Sequence, residues 1–133
     1  MSKVENKLVN FTAANKRLKE AVTAYKSDKE NSLYRDALIQ RFEFTFELAW
    51  KTTAEVLRGQ GIVPEILSPK SVFRAAYNSG YITKENIWLD ILNDRNSMSH
   101  TYDEQSASRI ADDICNRYAK EINALLKALK QYE

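Results

Sequence analysis

Arg95, Asn96, His100 and Tyr102 sit within one stretch, Arg95-Asn96-Ser97-Met98-Ser99-His100-Thr101-Tyr102, which holds the only histidine of the chain. An imidazole can give or take a proton near neutral pH at little cost. A guanidinium is always charged, and its planar fork of donors suits a phosphate. A phenol adds a hydroxyl that can hydrogen-bond or be modified. Together these groups suggest a phosphodiester site. A histidine near a helix end is also the ordinary capping or surface residue. A spacing of five is not a helix-neighbour spacing, since those fall at three and four. Five works if the helix ends between the two residues, and Asn96, Ser97 and Ser99 favour such an ending because their side chains compete for backbone hydrogen bonds.

The elements that must hold this stretch are helical. Three glycines and two prolines in 133 residues leave little material for the turns of a β-protein. Val4, Leu8, Phe11, Leu18, Val22 and Tyr25 form one stripe of a first helix. The polar run Ser27 to Ser32 reads as a turn. A second helix is expected from about Leu33 to Arg58, ended by Gly59 and Gly61. After a loop from Gly61 to Leu67, Ser68-Pro69 reads as an N-cap with proline in the first helical position. The short helix carrying Val72, Phe73 and Ala76 should stop at Gly80. Thr83 is placed as the cap of a helix carrying Ile87, Trp88, Ile91 and Leu92 toward Arg95. Asp103 is placed as the cap of a last helix striped by Ile110, Ile114, Tyr118, Ile122, Leu125 and Leu129. The expectation is an all-α, up-and-down four-helix bundle with an extra short helix, one domain over residues 1–133.

The second helix is apolar on two sides. Phe42, Phe46 and Ala49 share one face, while Phe44 and Leu48 lie roughly opposite. A second copy of the chain is the simplest cover for the far face, which predicts a homodimer; a helix wholly enclosed by its own bundle is the other solution. Glu43, Glu47 and Lys51 repeat at four, along a dimer cleft or a solvated face. Asp94 is expected to face solvent rather than pair with Arg95. Trp50 and Trp88 are read as packing residues, and Cys115 as a small apolar filler. A single cysteine excludes an internal disulfide and suits a reducing cytoplasm. The start of the chain has no signal-peptide pattern and no apolar run approaches twenty residues, so the protein is expected in the cytoplasm, away from membranes. The net charge of +2 is too small to announce a nucleic-acid binder by itself.

The string Ile39-Gln40-Arg41-Phe42-Glu43-Phe44-Thr45-Phe46-Glu47-Leu48-Ala49-Trp50-Lys51, followed by Ser68-Pro69-Lys70, Val72-Phe73-Arg74, Ile87-Trp88-Leu89 and Asn93-Asp94-Arg95-Asn96, closely resembles the nucleotidyltransferase substrate-binding proteins of the HEPN superfamily. The resemblance runs from about residue 4 to residue 130. It implies a homodimeric helical domain whose partner is a minimal nucleotidyltransferase. Many HEPN domains are metal-independent endoribonucleases marked by Arg, a polar residue, three further residues and His; Arg95, Asn96 and His100 match that pattern. In one branch a tyrosine follows two residues after the histidine. There the HEPN protein is a toxin, and its nucleotidyltransferase antitoxin silences it by transferring AMP to that tyrosine. Tyr102 falls at this position.

The chemistry agrees without the resemblance. No cluster of Cys, His and carboxylates has metal-ligand spacing, and no glycine-rich phosphate loop is present, so neither metal nor cofactor is expected. RNA brings its own nucleophile, the 2′-hydroxyl. Cleavage then needs a base, an acid and positive charge at phosphorus. His100 can serve as base or acid, and Arg95 can hold the phosphate in a bidentate grip. One histidine cannot readily do both jobs, so a dimer that brings two motifs together would complete the site. Asn96 is a supporting polar residue that either orients His100 or the phosphate, or caps a helix. The alternative is a non-catalytic subunit that presents substrate or a regulatory surface to the nucleotidyltransferase.

Overall fold

Short-range rules place most helix ends. In the computed structural model, which describes residues 2–98 and 103–131, helix α1 spans Lys3–Ser27 and starts where the Ser2 hydroxyl accepts from the Glu5 N–H at 3.1 Å. The turn is closed by Asn31, whose side-chain oxygen accepts from the N–H groups of Leu33 and Tyr34 and starts α2, Ser32–Gly59. Gly61 ends α2 at φ +80°, with its N–H donated to the Arg58 carbonyl and the Ile62 N–H donated to that of Leu57. That double bond needs a left-handed residue, which glycine supplies without a Cβ penalty. Helix α3, Pro69–Asn78, opens on a reciprocal pair in which Ser68 and Ser71 each accept the other's backbone N–H, and Gly80 closes it at φ +87°.

One helix end and one helix interior differ from expectation. Helix α4, Glu85–Met98, begins where the Lys84 carbonyl accepts from Ile87 and Trp88, so the cap position falls at Lys84 and not Thr83. The last helix is one rod in three parts: α5, Glu104–Asp113, capped by Asp103; a π turn, Ile114–Tyr118; and α6, Ala119–Lys130. The π turn has a reason in the sequence. Ile110, Ile114, Tyr118 and Ile122 repeat at four, and an α-helix of about 3.6 residues per turn would rotate such a series off its face. The wider turn, in which the Ala119 N–H reaches the Ile114 carbonyl, takes up the surplus and leaves all four buried.

The long helices α1 and α2 pack along each other, and the α5–α6 rod packs against both, antiparallel to α1 from Tyr25–Asp112 to Asn15–Asn123. Leu8, Phe11, Leu18 and Tyr25 of the first stripe are buried, with Val4 and Val22 packed at its margin. The α2 face Phe42, Phe46 and Ala49 is fully buried, while Phe44 on the other side is 58% exposed. Leu48, expected beside Phe44 on the far face, is instead partly buried against the core, so the far side of α2 exposes Phe44 alone of the two. Aromatic contacts lead from this core to α4: Phe46 to Phe73 at 5.7 Å, and Phe73 to Trp88 at 4.5 Å between ring centroids. Trp88 is thus a packing residue, and Cys115 is buried within the π turn. No strand occurs among the described residues.

Candidate functional site

Arg95 lies near the end of α4 and reaches across to α2. Its Nη2 donates to Glu47 Oε1 in a very short ion pair, and its guanidinium carbon stands 5.5 Å from the centre of the buried Phe46 ring. Glu47 is itself held. Its second oxygen accepts from Trp50 Nε1 at 3.1 Å and faces Lys51 Nζ at 3.9 Å. Trp50 thereby orients the carboxylate besides packing. One turn earlier, partial burial raises the Glu43 carboxyl above the ordinary range, and the charge of Arg95 opposes that rise. Of the row, Glu47 bonds the candidate arginine and Glu43 feels its charge, while Lys51 is exposed and pairs with Glu47.

The result is a guanidinium clamped on one edge and one face. A guanidinium has five N–H donors, and Arg95 remains partly exposed, with 38% of its side-chain surface open. It borders an open cleft of about 300 Å³ shared with Asn93, Asn96 and Lys70. Asn96 is exposed on the same rim. Such a site can receive a phosphate on a donor edge whose direction is already set, so little ordering remains at binding.

Asp94 corrects the sequence reading. It is buried, at 8% exposure, and points toward α5 and the π turn, whereas Arg95 points toward α2. Arg109 of α5 grips it with Nη2–Oδ1 at 2.8 Å and Nη1–Oδ2 at 3.4 Å, and the fully buried Tyr118 donates a very short hydrogen bond to Oδ2. Burial and this bond push the Tyr118 phenol well above its ordinary value. The π turn and α5 thus anchor the end of α4 from behind, while Glu47 holds it from the front. Neither partner is a sequence neighbour, and only the wide stretch of the repeat at four hinted that Tyr118 would be unusual.

His100 and Tyr102 lie outside the described residues, between Met98 and the α5 cap Asp103. Among the described residues no group of three or more His, Cys, Asp or Glu could hold a metal ion. No helix of the described residues is long and apolar enough to cross a membrane.

Residues 6–131 match the family described as nucleotidyltransferase substrate binding protein like. A Haemophilus influenzae protein named probable ribonuclease HepT is 31% identical over 111 residues, covering 78% of this chain and 75% of its own. A crystal structure from Thermus thermophilus is 32% identical with a TM-score of 0.71, over 85% of this chain and 98% of that one. The tri-AMPylated Shewanella oneidensis HEPN toxin, solved in complex with MNT antitoxin, is 17% identical with a TM-score of 0.75, over 98% of this chain and 99% of its own. That last likeness establishes a shared fold.

Proposed function

We propose that this chain, which belongs to the nucleotidyltransferase substrate-binding-protein-like family of the HEPN superfamily, is the toxin of a toxin–antitoxin pair and a metal-independent endoribonuclease. The observation that carries the reading is Arg95, pinned by Glu47 and Phe46 while it borders an open cleft. The name of the Haemophilus relative supports the activity, and the Shewanella complex supports a nucleotidyltransferase as the partner and antitoxin.

In this mechanism the RNA 2′-hydroxyl attacks the adjacent phosphorus while His100 of one protomer accepts its proton. The O2′–P bond forms and the P–O5′ bond breaks. The partner subunit's His100 protonates the leaving 5′-oxygen, giving a 2′,3′-cyclic phosphate and a 5′-hydroxyl. Arg95 stabilises the charge on the phosphorane, with Asn96 beside it. DNA lacks the attacking hydroxyl and is not cut. The reaction requires a homodimer, and α2 supports one: exposed Phe44 is the i,i+3 neighbour of Glu47, so a copy covering Phe44 would lie beside the arginine site. AMP on Tyr102 would place a bulky phosphodiester next to Arg95, filling the donor edge and repelling the RNA backbone.

The test is cleavage of RNA by purified protein in EDTA. Arg95→Ala and His100→Ala should each abolish cleavage while leaving helix content unchanged. Full cleavage by purified His100→Ala, or a strict metal requirement, overturns the mechanism, and no cleavage by the wild-type protein leaves a non-catalytic binding subunit. Co-expression with the nucleotidyltransferase should add AMP mass to the Tyr102 peptide. Silencing without added mass would mean inhibition by binding alone.

A further inference from the structure

From the cleft at Arg95 a second, narrower cavity continues between α3 and α4, and the two share Lys70, Leu89 and Leu92 as lining residues. We infer that this α3–α4 groove is the track along which single-stranded RNA runs into the Arg95 site, with Lys70 and Arg74 holding phosphates and Tyr77 offering a ring to a base. This deepens the ribonuclease reading and rests on it.

Three observations converge. Lys70, Arg74 and Tyr77 fall at steps of four and three, so they form one exposed row along α3, spanning about 10 Å. Neither Lys70 nor Arg74 is paired with a carboxylate among the described residues, whereas Arg58, Arg109 and Arg117 are each held by one. Tyr77 is 41% exposed and Leu89 is 42% exposed, giving the groove an apolar wall beside its cations. Cations that follow a backbone, interleaved with an exposed aromatic, are what a flexible single strand requires; a base stacks on any ring without regard to its identity. Glu85 is the one carboxylate in the lining and lies at the end remote from Arg95. The Ser68–Ser71 pair already closes the first turn of α3, so the positive field of the groove comes from its side chains and not from the helix end.

Binding is measured on His100→Ala protein, which holds RNA without cutting it, by fluorescence anisotropy of a labelled single-stranded oligoribonucleotide across a salt series. The double variant Lys70→Ala/Arg74→Ala should weaken binding about tenfold at low salt, and flatten the slope of log Kd against log salt by about 0.7 for each residue removed. Tyr77→Ala should weaken binding about fivefold or more with the slope unchanged, and Tyr77→Phe should bind normally because the ring remains. In otherwise wild-type protein Arg74→Ala and Tyr77→Ala, which lie outside the Arg95 cleft, should raise KM for a long RNA, leave kcat in place, and leave a dinucleotide substrate unaffected. Unchanged Kd and slope in the double variant overturn the track. So does normal RNA binding combined with loss of the nucleotidyltransferase complex, which would make the groove a protein-docking surface. If wild type cleaves and the variants change nothing, the track fails and the ribonuclease stands. If the variants lower affinity and slope but wild type never cleaves, the track stands and the ribonuclease fails.

Discussion

Tyr118→Phe removes one oxygen from the interior, and its effect should reach the end of α4. The ring stays in place, stacked 5.8 Å from Phe42 and 5.2 Å from the Arg117 guanidinium carbon, so no cavity of consequence opens. What is lost is the bond to Asp94 Oδ2. A hydrogen bond to a charged acceptor contributes about 1.5–3 kcal/mol. Asp94 keeps Arg109 at 2.8 Å on Oδ1 and at 3.4 Å on Oδ2, which places the loss in the lower part of that range, about 2 kcal/mol. For a chain of this length that lowers Tm by about 6–8 °C. Asp94→Ala should cost more, about 3 kcal/mol or above, because it strands the Tyr118 hydroxyl in the core. Arg109 then keeps Asp113 at 2.9 Å, so its own charge is not abandoned. Urea denaturation at fixed protomer concentration, with an unchanged m-value, reads both. A Tyr118→Phe protein within about 0.5 kcal/mol of wild type by this linear extrapolation, or an Asp94→Ala protein no weaker than it, refutes the anchoring role.

Other outcomes follow from single contacts. Glu47→Ala should change stability by less than about 1 kcal/mol, since both it and Arg95 are more than one-third exposed, yet lower kcat for RNA cleavage at least tenfold by releasing Arg95; unchanged kcat would show that the clamp does not position it. The buried Tyr25 phenol, raised to about 12 by burial and then by its bond to Asp112, favours the neutral form in the folded chain. Its contribution is complete below the unfolded value near 10 and is lost as pH climbs from there through 12, so stability should fall by up to about 1.4 kcal/mol per pH unit in that window. Tyr25→Phe should flatten that fall when denaturation midpoints are compared between about pH 9 and 11; an identical slope rejects the linkage. Gly61→Ala should destabilise by about 1–2 kcal/mol in thermal melts, from its left-handed backbone alone, because an added Cβ meets nothing within 4 Å. A neutral result there would mean the α2 end rearranges.

Local order was legible in the residues because its causes are local. The turn after α1, the stop at Gly61, the Ser68-Pro69 start, the stop at Gly80 and the Asp103 cap each depend on atoms within about five positions, and the apolar stripes follow from the helical period. The buried face of α2 and the exposed Phe44 opposite it were readable from angle alone. Partners across the bundle were not. Glu47 and Arg95 are 48 residues apart, and Asp94 meets Arg109 and Tyr118 only where α5 and the π turn pack against α4. Nothing in the spacing of a charged residue says whether its side of the helix will be covered, which is why Asp94 read as solvated and proved buried. The groove between α3 and α4 likewise exists only once Phe73 packs on Trp88. Periodicity determined which residues share a face; close packing of whole helices decided which faces meet, and therefore which charges find each other.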